Sequence, residues 1–146
     1  MADYCTLEDL KKVGLSEKKI IQLTNDGKAD TINEGVLTGC IAAAKTMIDG
    51  FAVVKYSAAM PFDPVPGQIK TITAILTKYF LYEFASAVDE KIQKLYDGQM
   101  ALLRKLSTGT FKLLDVQDKK VKSDGVTFTQ KKPTDRAFHP SKLGAF

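Results

Sequence analysis

The sequence predicts a mostly α fold: a small helical bundle around a long central helix, with a proline-rich corner and a C-terminal β-hairpin or extended arm. Three observations carry that prediction. Apolar residues recur at spacings of three and four through residues 36–54, 69–84 and 92–106, the period of helices with one buried face. The first two runs are separated by Pro61-Phe-Asp-Pro64-Val-Pro66, where proline forbids helix. Alternation with a period of two is confined to residues 110–114 and 126–129, as in strands. The division is therefore a helical domain over residues 1–109 and a strand or hairpin with a basic arm over residues 110–146.

Taken in order, Thr6 before Leu7-Glu8-Asp9 is a helix start, because its hydroxyl caps free N–H groups and early acids suit the positive helix end. Leu7, Leu10 and Val13 form its stripe, and Gly14 stops it. Ser16 caps a second short helix with Ile20, Ile21 and Leu23 inward. Both are too short to stand without a larger body. Asn25-Asp-Gly-Lys-Ala-Asp30 is a loop by composition. Tested as a calcium loop about Gly27, it puts Gln22 and Thr24 at acidic positions and Asn33 where a bidentate glutamate belongs, so the register fails.

Thr31-Ile-Asn-Glu34 has the form of a capping box opening the long helix, which is expected to run to Tyr56. Val36, Leu37, Cys40, Ile41, Ala44, Met47, Ile48, Phe51 and Val54 make its apolar face, and Ala42-Ala-Ala44 invites close approach by another helix. Gly39 and Gly50 each cost about 1 kcal/mol of helix propensity relative to alanine and read as packing positions. Phe62 and Val65 tuck the corner onto the core, and Pro66 suits the first turn of the next helix. That helix, with Ile69, Ile72, Ile75, Leu76, Tyr79, Phe80, Tyr82 and Phe84, is apolar on more than one face. It is either central in the bundle or partly turned to a neighbouring subunit. Asp89-Glu90 opens the last helix, striped by Ile92, Leu95, Tyr96, Leu102, Leu103 and Leu106, and Ser107-Thr-Gly109 ends it.

At 146 residues with 45% hydrophobic and 26% charged content, one domain with one core is expected. No uninterrupted apolar run reaches the roughly 20 residues that span a bilayer. The N-terminus lacks the basic and apolar regions of a signal peptide, so folding in a reducing cytoplasm is expected. Cys5 and Cys40 then read as free thiols, with Cys40 in the core. Residues 1–111 hold 13 Lys+Arg and 13 Asp+Glu; residues 112–146 hold 8 and 4. The whole net charge of +4 therefore lies in the tail, which reads either as a segment meeting something acidic or as a solvated linker.

Chemistry-bearing patterns are absent. His139 is the one histidine, so no zinc site or catalytic triad assembles from sequence, and no metal or cofactor is expected. Neither GxxxxGK[ST] nor GxGxxG occurs. Asp49, mid-helix among apolar neighbours, reads as an ion pair with Lys45 or a structural contact to the corner. No enzyme activity is expected.

Several stretches together carry a resemblance: Tyr4-Cys-Thr-Leu-Glu-Asp-Leu10, Ile21-Gln-Leu-Thr-Asn-Asp26, Ile48-Asp-Gly-Phe51, Lys55-Tyr56, the Pro61–Pro66 corner, Tyr79-Phe-Leu-Tyr82, and Leu103-Arg-Lys-Leu-Ser-Thr-Gly109. In order and spacing, over roughly residues 4–114, the chain resembles the Mu-like phage neck family of head–tail connector, or head-completion, proteins. It departs from the family pattern at Lys55, often arginine; at Leu76-Thr77, often acidic; and at Glu83-Phe84, commonly basic. An ion pair typical of relatives is therefore not carried over. The tail beyond Val116 matches nothing in the pattern.

The resemblance implies a helical adaptor of the virion neck. It would form a homo-oligomeric ring of twelve copies beneath the portal protein, pass DNA through the ring, and receive the next neck or tail component. Partner contacts are then expected from Lys119, Lys120, Lys122, Val126, Phe128, Lys131, Lys132, Arg136, Phe138 and Phe146, while Asp49, Tyr56, Pro61, Pro64 and Pro66 hold the corner. The rival readings are a nucleic-acid-binding module using the basic tail and a tail-completion protein.

Overall fold

The computed structural model describes residues 3–25 and 30–113. Five helices follow in order: α1 Leu7–Lys12, α2 Glu17–Thr24, α3 Glu34–Tyr56, α4 Gly67–Phe84 and α5 Glu90–Thr108, with a short 3-10 turn, Ser57–Ala59, after α3. The long helices α3, α4 and α5 pack pairwise, and α1 and α2 lie against α4. No strand occurs among the described residues. The expected strand at residues 126–129, the arm at 130–146 and the tested loop at 26–29 lie outside them.

Sequence caps account for most helix ends. Asp9 accepts from the Thr6 backbone N–H at 2.9 Å and its hydroxyl at 3.0 Å. Ser16 Oγ accepts from the Lys19 N–H at 3.2 Å, and Asp89 Oδ1 from the Ile92 N–H at 2.8 Å. Gly14 and Gly109 both lie at positive φ, where a β-carbon would be strained. Asp9 has one consequence for acid stability. Burial alone raises its carboxyl, but the Thr6 N–H and hydroxyl, with Lys12 and Lys70, hold it below the ordinary range. A depressed carboxyl contributes stability above its unfolded value, and that contribution is lost as pH falls through the folded one. Acid titration followed by circular dichroism will therefore show Asp9→Asn losing less stability than wild type between neutral pH and pH of about 3.

The cap of α3 differs from expectation. It is Asn33, whose Oδ1 accepts from the Val36 N–H, not Thr31. The reason is a polar knot at the end of α2. Thr24 Oγ1 donates to the Ile20 carbonyl at 2.9 Å and accepts from the Asn33 N–H and Asn25 Nδ2, both at 3.2 Å. Asn25 Nδ2 also donates to the Thr31 carbonyl at 2.6 Å, so Thr31 serves the loop. Pro66 likewise sits one residue before α4, at its cap position.

Two apolar clusters fill the body. One gathers Tyr4, Ala44, Ile48, Ala52, Tyr56, Phe62, Ile69, Leu76, Leu103, Leu106 and Leu113 around the corner. The other holds α1 and α2 through Cys5, Leu10, Leu15, Ile20, Leu23, Leu37, Ile41, Ala74 and Leu81. The predicted α3 stripe is right as far as Phe51, then departs. Val54 is 59% exposed, while Ala52 and Tyr56 are buried. At 3.6 residues per turn, steps of four from Ala44 through Ile48, Ala52 and Tyr56 track the core, and Val54 has rotated away. Phe84, on the helix read as either central or partly turned to a neighbour, is 56% exposed.

Two other expectations change. Residues 110–113 form no strand: Gly109 turns the chain, the Phe111 N–H donates to the Lys105 carbonyl, and Leu113 is buried as a plug. The segment Glu34–Ala59 is long and apolar enough to cross a membrane by length and composition. The unbroken-run criterion missed it because Lys45 and Asp49 interrupt it. In this fold its inner face is committed to α4 and α5.

Candidate assembly surface

The candidate surface is set by what fixes the C-terminal end of α3 and by what its outer face offers. At the C-terminal end of α3, the corner makes a compact aromatic cluster. Phe62 is buried, with its ring centroid 5.8 Å from Tyr4 and 6.3 Å from Tyr56. Of the corner prolines, Pro66 is buried while Pro61 and Pro64 are exposed. The Tyr56 hydroxyl accepts from the Leu113 N–H at 3.3 Å, so the last described residue is pinned beside the end of α3.

Asp49 lies on the flank of the same cluster. The expected ion pair with Lys45 is present at 3.9 Å. The sequence reading missed the stronger contact, in which the buried Tyr4 hydroxyl donates to Asp49 Oδ1 at 2.6 Å. Lys45 Nζ also stands 5.0 Å from the Tyr4 ring centroid, within cation–π range. Burial, then the bond to and charge of Asp49, push the Tyr4 phenol well above its ordinary value. These contacts clip the N-terminal segment to α3. The only signal for them was Tyr4 itself, an aromatic ahead of a short helix with no evident partner.

The outer face of α3 is different in kind. Gly35, Gly39, Ala42, Ala43, Thr46, Gly50, Val53 and Val54 are exposed, and none is charged. A β-carbon at Gly39 or Gly50 would meet nothing within 4 Å, so no contact within the described chain requires either glycine. Toward the N-terminal end of α3 this face dips into an open groove of about 400 Å³ against α4. Val36, Gly39, Cys40, Ala43, Phe80 and Phe84 line it, with Glu83 at its edge. Burial and then Glu83 raise the Cys40 thiol. Cys40 is therefore a partly buried free thiol that packs against the second apolar cluster, as expected, and also lines the groove.

A second open depression of about 590 Å³ lies over Asp89, Glu90, Lys91, Lys94 and Leu95. It mixes charges of both signs on one surface and brings no reactive pair together. Among the described residues, no group of three or more His, Cys, Asp or Glu is placed to hold a metal ion. All ten partner-contact residues expected on the tail, from Lys119 to Phe146, lie outside the described residues.

The chain matches the family described as Bacteriophage Mu, Gp36 over residues 4–130. It belongs to the bacteriophage Mu Gp36 family. The match runs past residue 116, where the sequence resemblance stops, and so takes in the Val126-Thr-Phe128 stretch. Membership in this Gp36 family makes the chain a structural or morphogenesis protein of phage, associated with the virion. Comparison with curated proteins gives no match.

Proposed function

We propose that this Gp36-family protein is a non-catalytic head–tail connector, or head-completion adaptor, of the virion neck. Copies assemble as a ring, twelve by the resemblance, beneath the portal protein. DNA passes through the ring without sequence-specific contact, and the next neck or tail component docks on it. The family match across most of the chain carries this reading. Two features of the body are in keeping with it. The helices form a compact unit braced at the corner, and one long uncharged face is left without a partner in the described chain. An adaptor needs both a rigid body and unsatisfied surface, because a ring closes only through contacts repeated from copy to copy.

Native mass spectrometry and low-resolution imaging of the full chain, alone and mixed with its portal, test the reading. The expected result is a closed ring, or portal-bound copies matching the portal's symmetry. A protein that stays monomeric and leaves the portal unbound at micromolar concentration overturns it.

A further inference from the structure

We propose that the groove between α3 and α4 receives the Val126–Phe128 stretch of a second copy, with Lys131 and Lys132 meeting Glu83. The inference rests on the ring reading, since the second copy is the neighbouring subunit, and it names the contact that joins neighbours.

The groove supplies an apolar floor with a carboxylate at its edge, and Phe84 stands beside it more than half exposed. The ligand it suits is an extended apolar anchor followed by cations. Val126-Thr-Phe128-Thr-Gln130-Lys131-Lys132 has that order, with both apolar residues on one side of an extended chain. The complementary charge is local: Glu83 is the one charged residue among the described residues lining the groove, and the excess positive charge of the chain lies beyond residue 111. Apolar anchors in a pocket, rimmed by charge that sets orientation, are how short segments dock on helical surfaces.

Contacts repeated from copy to copy, which a ring requires, argue for a second copy over the same chain. The last described residue, Leu113, is tied to Tyr56 at the C-terminal end of α3. The groove centres on Gly39, 17 residues back along that helix and so roughly 25 Å away at 1.5 Å per residue. The last described residue and the groove thus sit at opposite ends of α3, an offset suited to the head-to-tail contact that repeats into a ring. The 15 residues from Leu113 to Phe128 span at most roughly 50 Å, enough to reach this groove or a neighbour's, and the cross-linked products decide between the two.

Cys40 offers a direct test because it lines the groove, whereas Cys5 is buried with its thiol pushed up to about 11. Full-length Phe128→Cys, treated with a short bismaleimide, will give a ladder of covalent dimers and higher oligomers on a denaturing gel. The ladder will vanish when Cys40→Ala is added, and Glu83→Lys will lower its yield roughly tenfold. A linked monomer would show the segment on its own body and overturn the exchange. So would a missing ladder where wild type forms rings by native mass spectrometry, leaving the ring reading intact with another interface. Wild type that remains monomeric with its portal present fails the ring reading separately, whatever the ladder shows.

Discussion

Replacing Phe62 by alanine will lower the stability of the body by about 3–5 kcal/mol, the range for removing a fully packed aromatic side chain. Phe62 is 3% exposed and lies between Tyr4 and Tyr56. Truncation loses the transfer energy of the ring and opens a cavity whose walls belong to three separate segments. Those walls are the N-terminal segment, the end of α3 and the corner itself, none of which can collapse inward without giving up another contact. For a chain of this length each kcal/mol is roughly 3 °C in Tm, so a drop of about 10 °C or more is expected by circular dichroism. Val54→Ala, two residues from Tyr56 but on the exposed face, will change Tm by no more than about 2 °C. A Phe62→Ala protein within that same margin would show that the corner is not packed as described.

That contrast also shows what could be read from the sequence. Three of the five helices, α1, α2 and α5, were legible from a cap or stop of their own: Thr6, Ser16, Asp89, Gly14, Gly109. The prolines set the break between α3 and α4. Local chemistry of this kind is written within three or four residues, so a single chain reveals it. What was illegible depends on residues far apart in sequence. The cap of α3 moved from Thr31 to Asn33 because Thr24 and Asn25, on the preceding helix end, claim the loop between them. Thr73 and Thr77 are fully buried although polar. Each spends its hydroxyl on the carbonyl four residues back, at 2.6 and 2.7 Å, which makes threonine behave as a small apolar residue in a helix interior.

Of the candidate surface, the tail's charge asymmetry and the small residues of α3 were plain. Their meaning was not. Gly39 and Gly50 read as packing positions, and within the described chain the space over each is open. Periodicity locates a face but does not say which side of it the core occupies, and only the direction set by Ala44, Ile48, Ala52 and Tyr56 decides that.

Asp49→Ala will destabilise the body more than Tyr4→Phe, and that inequality tests how the N-terminal segment is held. In Asp49→Ala the Tyr4 hydroxyl, fully buried, loses its acceptor, and an unpaired buried donor to a former charged partner costs about 1.5–3 kcal/mol. In Tyr4→Phe the carboxylate that remains keeps Lys45 at 3.9 Å, and its side chain is 29% exposed. Water then serves the vacated oxygen, and a cost of about 0.5–1.5 kcal/mol is expected. The double variant removes donor and acceptor together, so it should cost less than the two single losses combined, with a coupling of about 1 kcal/mol or more. Additivity within about 0.5 kcal/mol would mean the bond contributes nothing in solution.

The pH dependence supplies an independent sign. A phenol whose folded value is raised contributes stability that is complete below its unfolded value and is lost as pH rises above it. Wild type should therefore weaken above pH of about 10, and Tyr4→Phe should lose less over that interval. Asp49→Ala should also lose less there, because it removes both the acceptor that holds the proton and the negative charge that opposes ionisation.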